Sequence, residues 1–160
     1  MTQAALKPTH VDSAYQTDLC AWAEEQARLL RERRFDELDV PNLIDEVLSV
    51  GGSERQQIES RLDVLIGHLL RWMYQPGNRN SHWVGTILKQ RKRIARVIQG
   101  NPGLKRYPAI VFEECYLAGR LLAAKAIGID LMLFPEQPPF SLYQVLNLDY
   151  RPREPSSLAS

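Results

Sequence analysis

Apolar residues recur at three- and four-residue intervals along most of this chain, the spacing of helices that bury one side. Asp18, a residue suited to capping, precedes Leu19, Trp22, Ala23, Leu29 and Leu30, and that run closes in the basic cluster Arg31 to Arg34. Asp39 then caps a shorter second helix with Pro41 in its first turn, where a missing N–H is tolerated. Its Leu43, Ile44, Val47 and Leu48 are expected to face inward. Gly51-Gly52 breaks or bends the chain, which leaves the continuity of the second and third helices open. After Ser53, the residues Ile58, Leu62, Leu65, Leu69 and Trp72 are spaced 4-3-4-3, a heptad-like seam that suits packing along another helix.

Pro76-Gly77-Asn78 marks a turn, and Asn80 or Ser81 opens a fourth helix that Gly100-Asn101-Pro102 closes. A fifth runs from near Pro108 to Ile127, with Gly128 as its stop. Its stripe Cys115, Gly119, Ala123, Ala126 is small throughout, which lets a neighbouring helix approach and places this element centrally. Ser141-x-x-Gln144, after a Pro-rich loop, has the capping-box pattern that starts a last short helix. No strand is predicted. The expectation is an all-α fold, a compact bundle of five to six helices. Residues 15–150 form one domain, with flexible tails at 1–14 and 151–160.

Charge changes this picture more than composition does. Hydrophobic content is 44% and charged content 24%, ordinary for a globular chain. Between Asp63 and Glu113, however, there is no acidic residue and there are nine Lys or Arg. That window carries +9 and the whole chain +1, so the remainder carries −8. Either acidic and basic parts neutralise each other, within the fold or between subunits, or the basic part meets an anionic partner. No stretch approaches the roughly 20 apolar residues of a membrane span, and Met1 to Tyr15 does not read as a secretory signal. Only Cys20 and Cys115 are present, without a Cys-x-x-Cys, so both are read as reduced, half-buried thiols in a cytoplasmic protein.

HLLRWMYQP (His68 to Pro76) and SHWVGTILKQRKRI (Ser81 to Ile94) are similar to the bacterial domain of unknown function family numbered 29. So are LDVPNLIDEVLSVG before them and Gly128 to Pro135 after them, and the likeness runs from about Tyr15 to Tyr150. The resemblance implies a small, mostly helical protein and no particular activity.

Candidate chemistry gathers on the fourth helix. Val84, Ile87, Leu88, Ile94, Ala95 and Ile98 form its apolar stripe, and the helical period puts Arg91 in the middle of it. A buried guanidinium needs a carboxylate or several carbonyls. Asp45, Glu46 and Glu113 are the candidate ion-pair partners; alternatively Arg91, Gln90, Trp72 and Trp83 line an anion or ligand site. Lys89, Lys92, Arg93 and Arg96 lie on the opposite face, as a solvated or acid-matched surface or as a nucleic-acid contact. Arg61 and His68, two helical turns apart, resemble at the outer limit of its spacing the Arg/His signature of HEPN helical ribonucleases, in which the pair activates a ribose hydroxyl. His68 and His82 with Asp45 or Glu46 do not make a metal site at these spacings, and no cofactor motif is present.

Three functional readings follow. The first is a non-catalytic cytoplasmic protein that works by contact, as a homo-oligomer or with a protein partner and away from membranes. The second is nucleic-acid binding through Lys89, Lys92, Arg93 and Arg96, and the third an HEPN-like ribonuclease using Arg61 and His68.

Overall fold

A computed structural model describes residues 11–156, so parts of both expected tails (1–10 and 157–160) lie outside the described residues. The described residues form helices and loops without a strand, the all-α class that the periodicity predicts. Cα proximity divides the chain into two compact units, Met1–Gly52 and Ser53–Ser160.

The first unit holds α1 (Val11–Thr17), α2 (Leu19–Arg31) and α3 (Val40–Val50). Helix α1, seven residues without an apolar period, is not announced by the hydrophobic pattern. Asp18 caps α2, accepting from the Ala21 N–H at 2.9 Å, and Asp39 caps α3 with Pro41 in the first turn. A buried polar cluster joins α2 to α3. The Trp22 Nε1–H donates to Asp39 Oδ2 at 3.0 Å, and the Asp39 N–H donates to Gln26 Oε1 at 2.8 Å. Asn42 Nδ2 donates to the same Oδ2 at 2.7 Å. Tyr15 stands edge-on to Trp22 at 4.8 Å and donates its hydroxyl to Glu46 at 2.7 Å.

These bonds turn α3 so that its Asn42, Leu43 and Glu46 edge is half-buried. The expected inward face therefore points the other way: Ile44, Val47 and Leu48 are 53%, 69% and 64% exposed. Periodicity groups residues on one face correctly; hydrogen bonding decides where that face points. The two cysteines also part company, Cys20 exposed and Cys115 buried.

The second unit is built on α4 (Gly52–Tyr74), α5 (Ser81–Gly100), α6 (Tyr107–Ile127) and α7 (Leu142–Leu146). Gly51, in right-handed helical conformation, is the C-cap of α3. The α4 seam is the centre of the core: Ile58, Leu62, Leu65 and Leu69 have no solvent exposure, and Trp72 at its end is half-buried. Cys115, Gly119 and Ala123 of the small stripe are buried, while Ala126 is exposed. A Cβ at Gly119 would lie 2.5 Å from Ile66 Cγ2 and 3.1 Å from the Gly67 nitrogen, so α4 and α6 meet nearly backbone to backbone. Gly128, with φ +69°, supplies the left-handed stop of α6. The Ser141–Gln144 capping box forms with both its bonds, at 3.2 and 2.9 Å. Beyond it, Pro152 is buried and Glu154 pairs with Arg79 at 3.4 Å.

Candidate functional site

Arg91 is 2% exposed, as its place in the α5 stripe requires. Its partners differ from those expected. Nε donates to the Val145 carbonyl at 2.6 Å, Nη1 to Leu148 and Tyr150 at 3.3 and 3.0 Å, and Nη2 to Gln144 at 3.4 Å. Its hydrogen bonds thus go to backbone oxygens and not to Asp45, Glu46 or Glu113: Glu46 accepts from Tyr15, and Asp45 and Glu113 are exposed. The reason lies in α7. The Gln144 carbonyl accepts from the Asn147 N–H at 3.3 Å, but those of Val145 and, beyond the helix, Leu148 and Tyr150 have no backbone donor among the described residues. A guanidinium fork answers that need better than it would a lone carboxylate. Burial pushes the Arg91 pKa down to about 10, which leaves it a cation at neutral pH.

Four of the five Arg91 N–H groups are thereby occupied, and the proposed ligand set does not converge. Gln90 faces Arg61, whose Nη1 donates to it at 3.3 Å. Trp83 is buried under the Arg71 guanidinium at 4.4 Å, and Trp72 has the guanidinium groups of Arg79 and Arg151 over its ring at 4.9 and 6.0 Å. Each of these Trp rings thus stacks with at least one of the protein's own cations.

The outer face of α5 is different. Lys89, Lys92, Arg93 and Arg96 are all exposed and, among the described residues, make no hydrogen bond or ion pair. At 100° per residue they share an arc of about 100°, and exposed His82 falls in the same arc two turns earlier.

Arg61 and His68 project from one side of α4 but line separate clefts. A cleft of about 380 Å³ holds Arg61 with Ser53, Gln56, Gln57, Ser60, Val64 and Gln90. Another of about 200 Å³ holds His68 with Val64, Gly67, Arg71, Leu122 and Ala126. His68 Nδ1 donates to the Val64 carbonyl at 2.9 Å, and its nearest Arg in the cleft is Arg71. The two clefts share Val64, and Arg61 and His68 bond to Gln90 and to the Val64 carbonyl and not to each other. Burial, with smaller contributions from Arg71 and His82, lowers the His68 pKa. Its folded value therefore lies below the unfolded value of about 6.5, and the unfolded chain takes up the proton first. Stability is expected to fall as pH drops below about 6.5, and His68→Gln to flatten that slope. Melting temperatures between pH 7.5 and 5 check this; identical slopes would refute it.

Among the described residues, no three His, Cys, Asp or Glu side chains are grouped to hold a metal ion, and no helix is long and apolar enough to cross a membrane. The buried Cys115 thiol has its pKa pushed up by burial and by Asp63, the opposite of an activated nucleophile.

The family described as domain of unknown function DUF29 matches residues 14–151, most of the chain. The chain belongs to the DUF29 family. No curated protein and no solved structure matches it.

The DUF29 match also spans a residue that periodicity passed over. Arg120 on α6 is 6% exposed, and its Nη2 donates to the carbonyls of Leu131 and Phe134 at 3.2 and 3.1 Å. It does for the loop after α6 what Arg91 does for α7. The signal was available, since Arg120 follows buried Tyr116 by one turn and precedes buried Ala123 by three residues. In this DUF29 chain the two buried arginines are therefore structural clamps, and the accessible chemistry lies on the α5 outer face and in the Arg61–Gln90 cleft.

Proposed function

We propose that the protein acts by contact rather than catalysis, associating with a second copy of itself through the outer face of α3. One observation carries the reading: Val40, Ile44, Val47, Leu48 and Val50 are 48%, 53%, 69%, 64% and 77% exposed on a single eleven-residue helix. Together they present on the order of 500 Å² of apolar surface, the size at which such patches mark interaction sites. At 100° per residue they span an arc free of charged residues, because Asp45 and Glu46 fall on the other side. A twofold pairing of this face with itself buries no charge and removes on the order of 1,000 Å² from water, enough for a specific interface. The Trp22–Asp39–Gln26 cluster supports the reading, since it holds the face rigid and outward.

Sedimentation velocity on the full chain is expected to give a dimer at tens of micromolar. Val47→Asp with Leu48→Asp should give a monomer of unchanged helicity, because both positions are exposed. A wild-type chain that sediments as a monomer throughout, or a double variant that stays dimeric, overturns the proposal.

A further inference from the structure

The α5 outer face and the cleft beside it belong to the second unit. We infer that they form a binding track for single-stranded nucleic acid, with phosphates along Lys89, Lys92, Arg93 and Arg96 and an unpaired base in the Arg61–Gln90 cleft.

Uncompensated charge is the first support. The four cations have no partner among the described residues, and no acid occurs in the sequence between Asp63 and Glu113 to supply one. Crowded on an arc of about 100°, they repel one another, and a polyanion relieves that repulsion while releasing its condensed counterions. From His82 to Arg96 the track runs about 21 Å along the helix, at 1.5 Å per residue.

The composition of the face selects among anionic partners. It carries His82, Gly85, Lys89, Lys92, Arg93 and Arg96 and no large apolar side chain. An acidic protein segment needs buried apolar or aromatic anchors, and stable membrane attachment needs inserted apolar groups beside the basic ones. Neither is offered. Affinity here has to come from charge density, which nucleic acid supplies along its whole length.

The adjoining cleft indicates strandedness. Gln90 lies between Lys89 and Arg91 in sequence and one turn before Arg93, so its cleft of about 380 Å³ borders the cationic strip. The lining is three Gln amides, two Ser hydroxyls, one Arg and one Val, a set rich in paired donors and acceptors of the kind that read base edges. Arg61 brings a cation to the same lining, with its Nη1 donating to Gln90 Oε1 at 3.3 Å. A base inside a duplex cannot turn into such a cleft; an unpaired one can.

The test is fluorescence polarisation with a labelled, mixed-sequence 20-nucleotide single strand. Neutralising four phosphates gives a slope of about −3 in log K against log salt, or roughly 50-fold weaker binding at 200 mM than at 50 mM NaCl. Lys89→Glu with Arg93→Glu should abolish binding at 50 mM while leaving helicity and the sedimentation behaviour unchanged. Gln90→Ala should weaken binding several-fold without altering the salt slope. No binding at 50 mM, or full binding by the charge-reversed variant, overturns the inference. An equally tight blunt duplex, or an unaffected Gln90→Ala, overturns its single-strand and cleft components. Polyglutamate or phosphatidylserine vesicles that bind as tightly as the oligonucleotide would show the partner class to be wrong.

Discussion

Gly119→Ala is expected to cost about 3 kcal/mol of stability, at the upper end of what inserting one methyl into a packed core costs. The added Cβ would sit 2.5 Å from Ile66 Cγ2, 2.8 Å from Ile66 Cβ and 3.1 Å from the Gly67 nitrogen. None of these is the free end of a flexible side chain. Ile66 is itself fully buried and branched at Cβ, so α4 and α6 have to separate to admit the methyl. For a unit of about this size the melting temperature should fall by roughly 15 °C. Two other glycines act as internal controls. Gly67 lies across the same contact, but its added Cβ would meet nothing nearer than 3.4 Å, so Gly67→Ala should be near neutral. Gly85 is exposed on α5 with nothing within 4 Å, and Gly85→Ala should stabilise by about 0.8 kcal/mol through helix propensity alone. Thermal melts of the three variants decide the matter. If Gly119→Ala tracks Gly85→Ala, close backbone approach is not what sets the α4–α6 contact.

Much of this architecture was legible because it is encoded locally. Asp18, Asp39, Asn80 and Ser141 each cap a helix within three residues of themselves, so their signals survive without knowledge of the fold. The seam Ile58 to Leu69 and the small stripe at Cys115, Gly119 and Ala123 were legible for a related reason: a helix has one period, and burial follows it. Orientation was less so. Ile44, Val47 and Leu48 share a face as predicted, but its direction depends on Trp22 meeting Asp39 seventeen residues away. The candidate site divides the same way. A run of cations without acids is visible by inspection, so the four-residue strip on α5 needed no structure. The cleft beside it did, since Arg61 meets Gln90 across twenty-nine residues. Arg91 was correctly placed on a buried face, yet its partners are backbone carbonyls, which every residue possesses and no side chain announces.

Arg91→Met is expected to cost about 3 kcal/mol and to loosen the end of the chain before the rest. The unbranched Met side chain retains part of the buried stem, so the substitution mainly removes the guanidinium and its four bonds to residues 144, 145, 148 and 150. The bond to Val145 is short at 2.6 Å and that to Tyr150 is of ordinary length at 3.0 Å, and bonds from a charged donor contribute about 1.5–3 kcal/mol each. The carbonyl of fully buried Val145 has no route to water as long as α7 stays docked. Undocking α7 is then the cheapest way to solvate it, which predicts early proteolytic cleavage between residues 141 and 152 while α4, α5 and α6 remain protected. Arg91→Lys should fail in the same direction, because one ammonium cannot span four acceptors arranged for a planar fork. Limited proteolysis with mass spectrometry, beside thermal melts, reads both effects. A Met variant that melts with the wild type and keeps its last segment protected would mean that α7 is held by the packing of Val145 and Phe140, with the buried guanidinium merely tolerated.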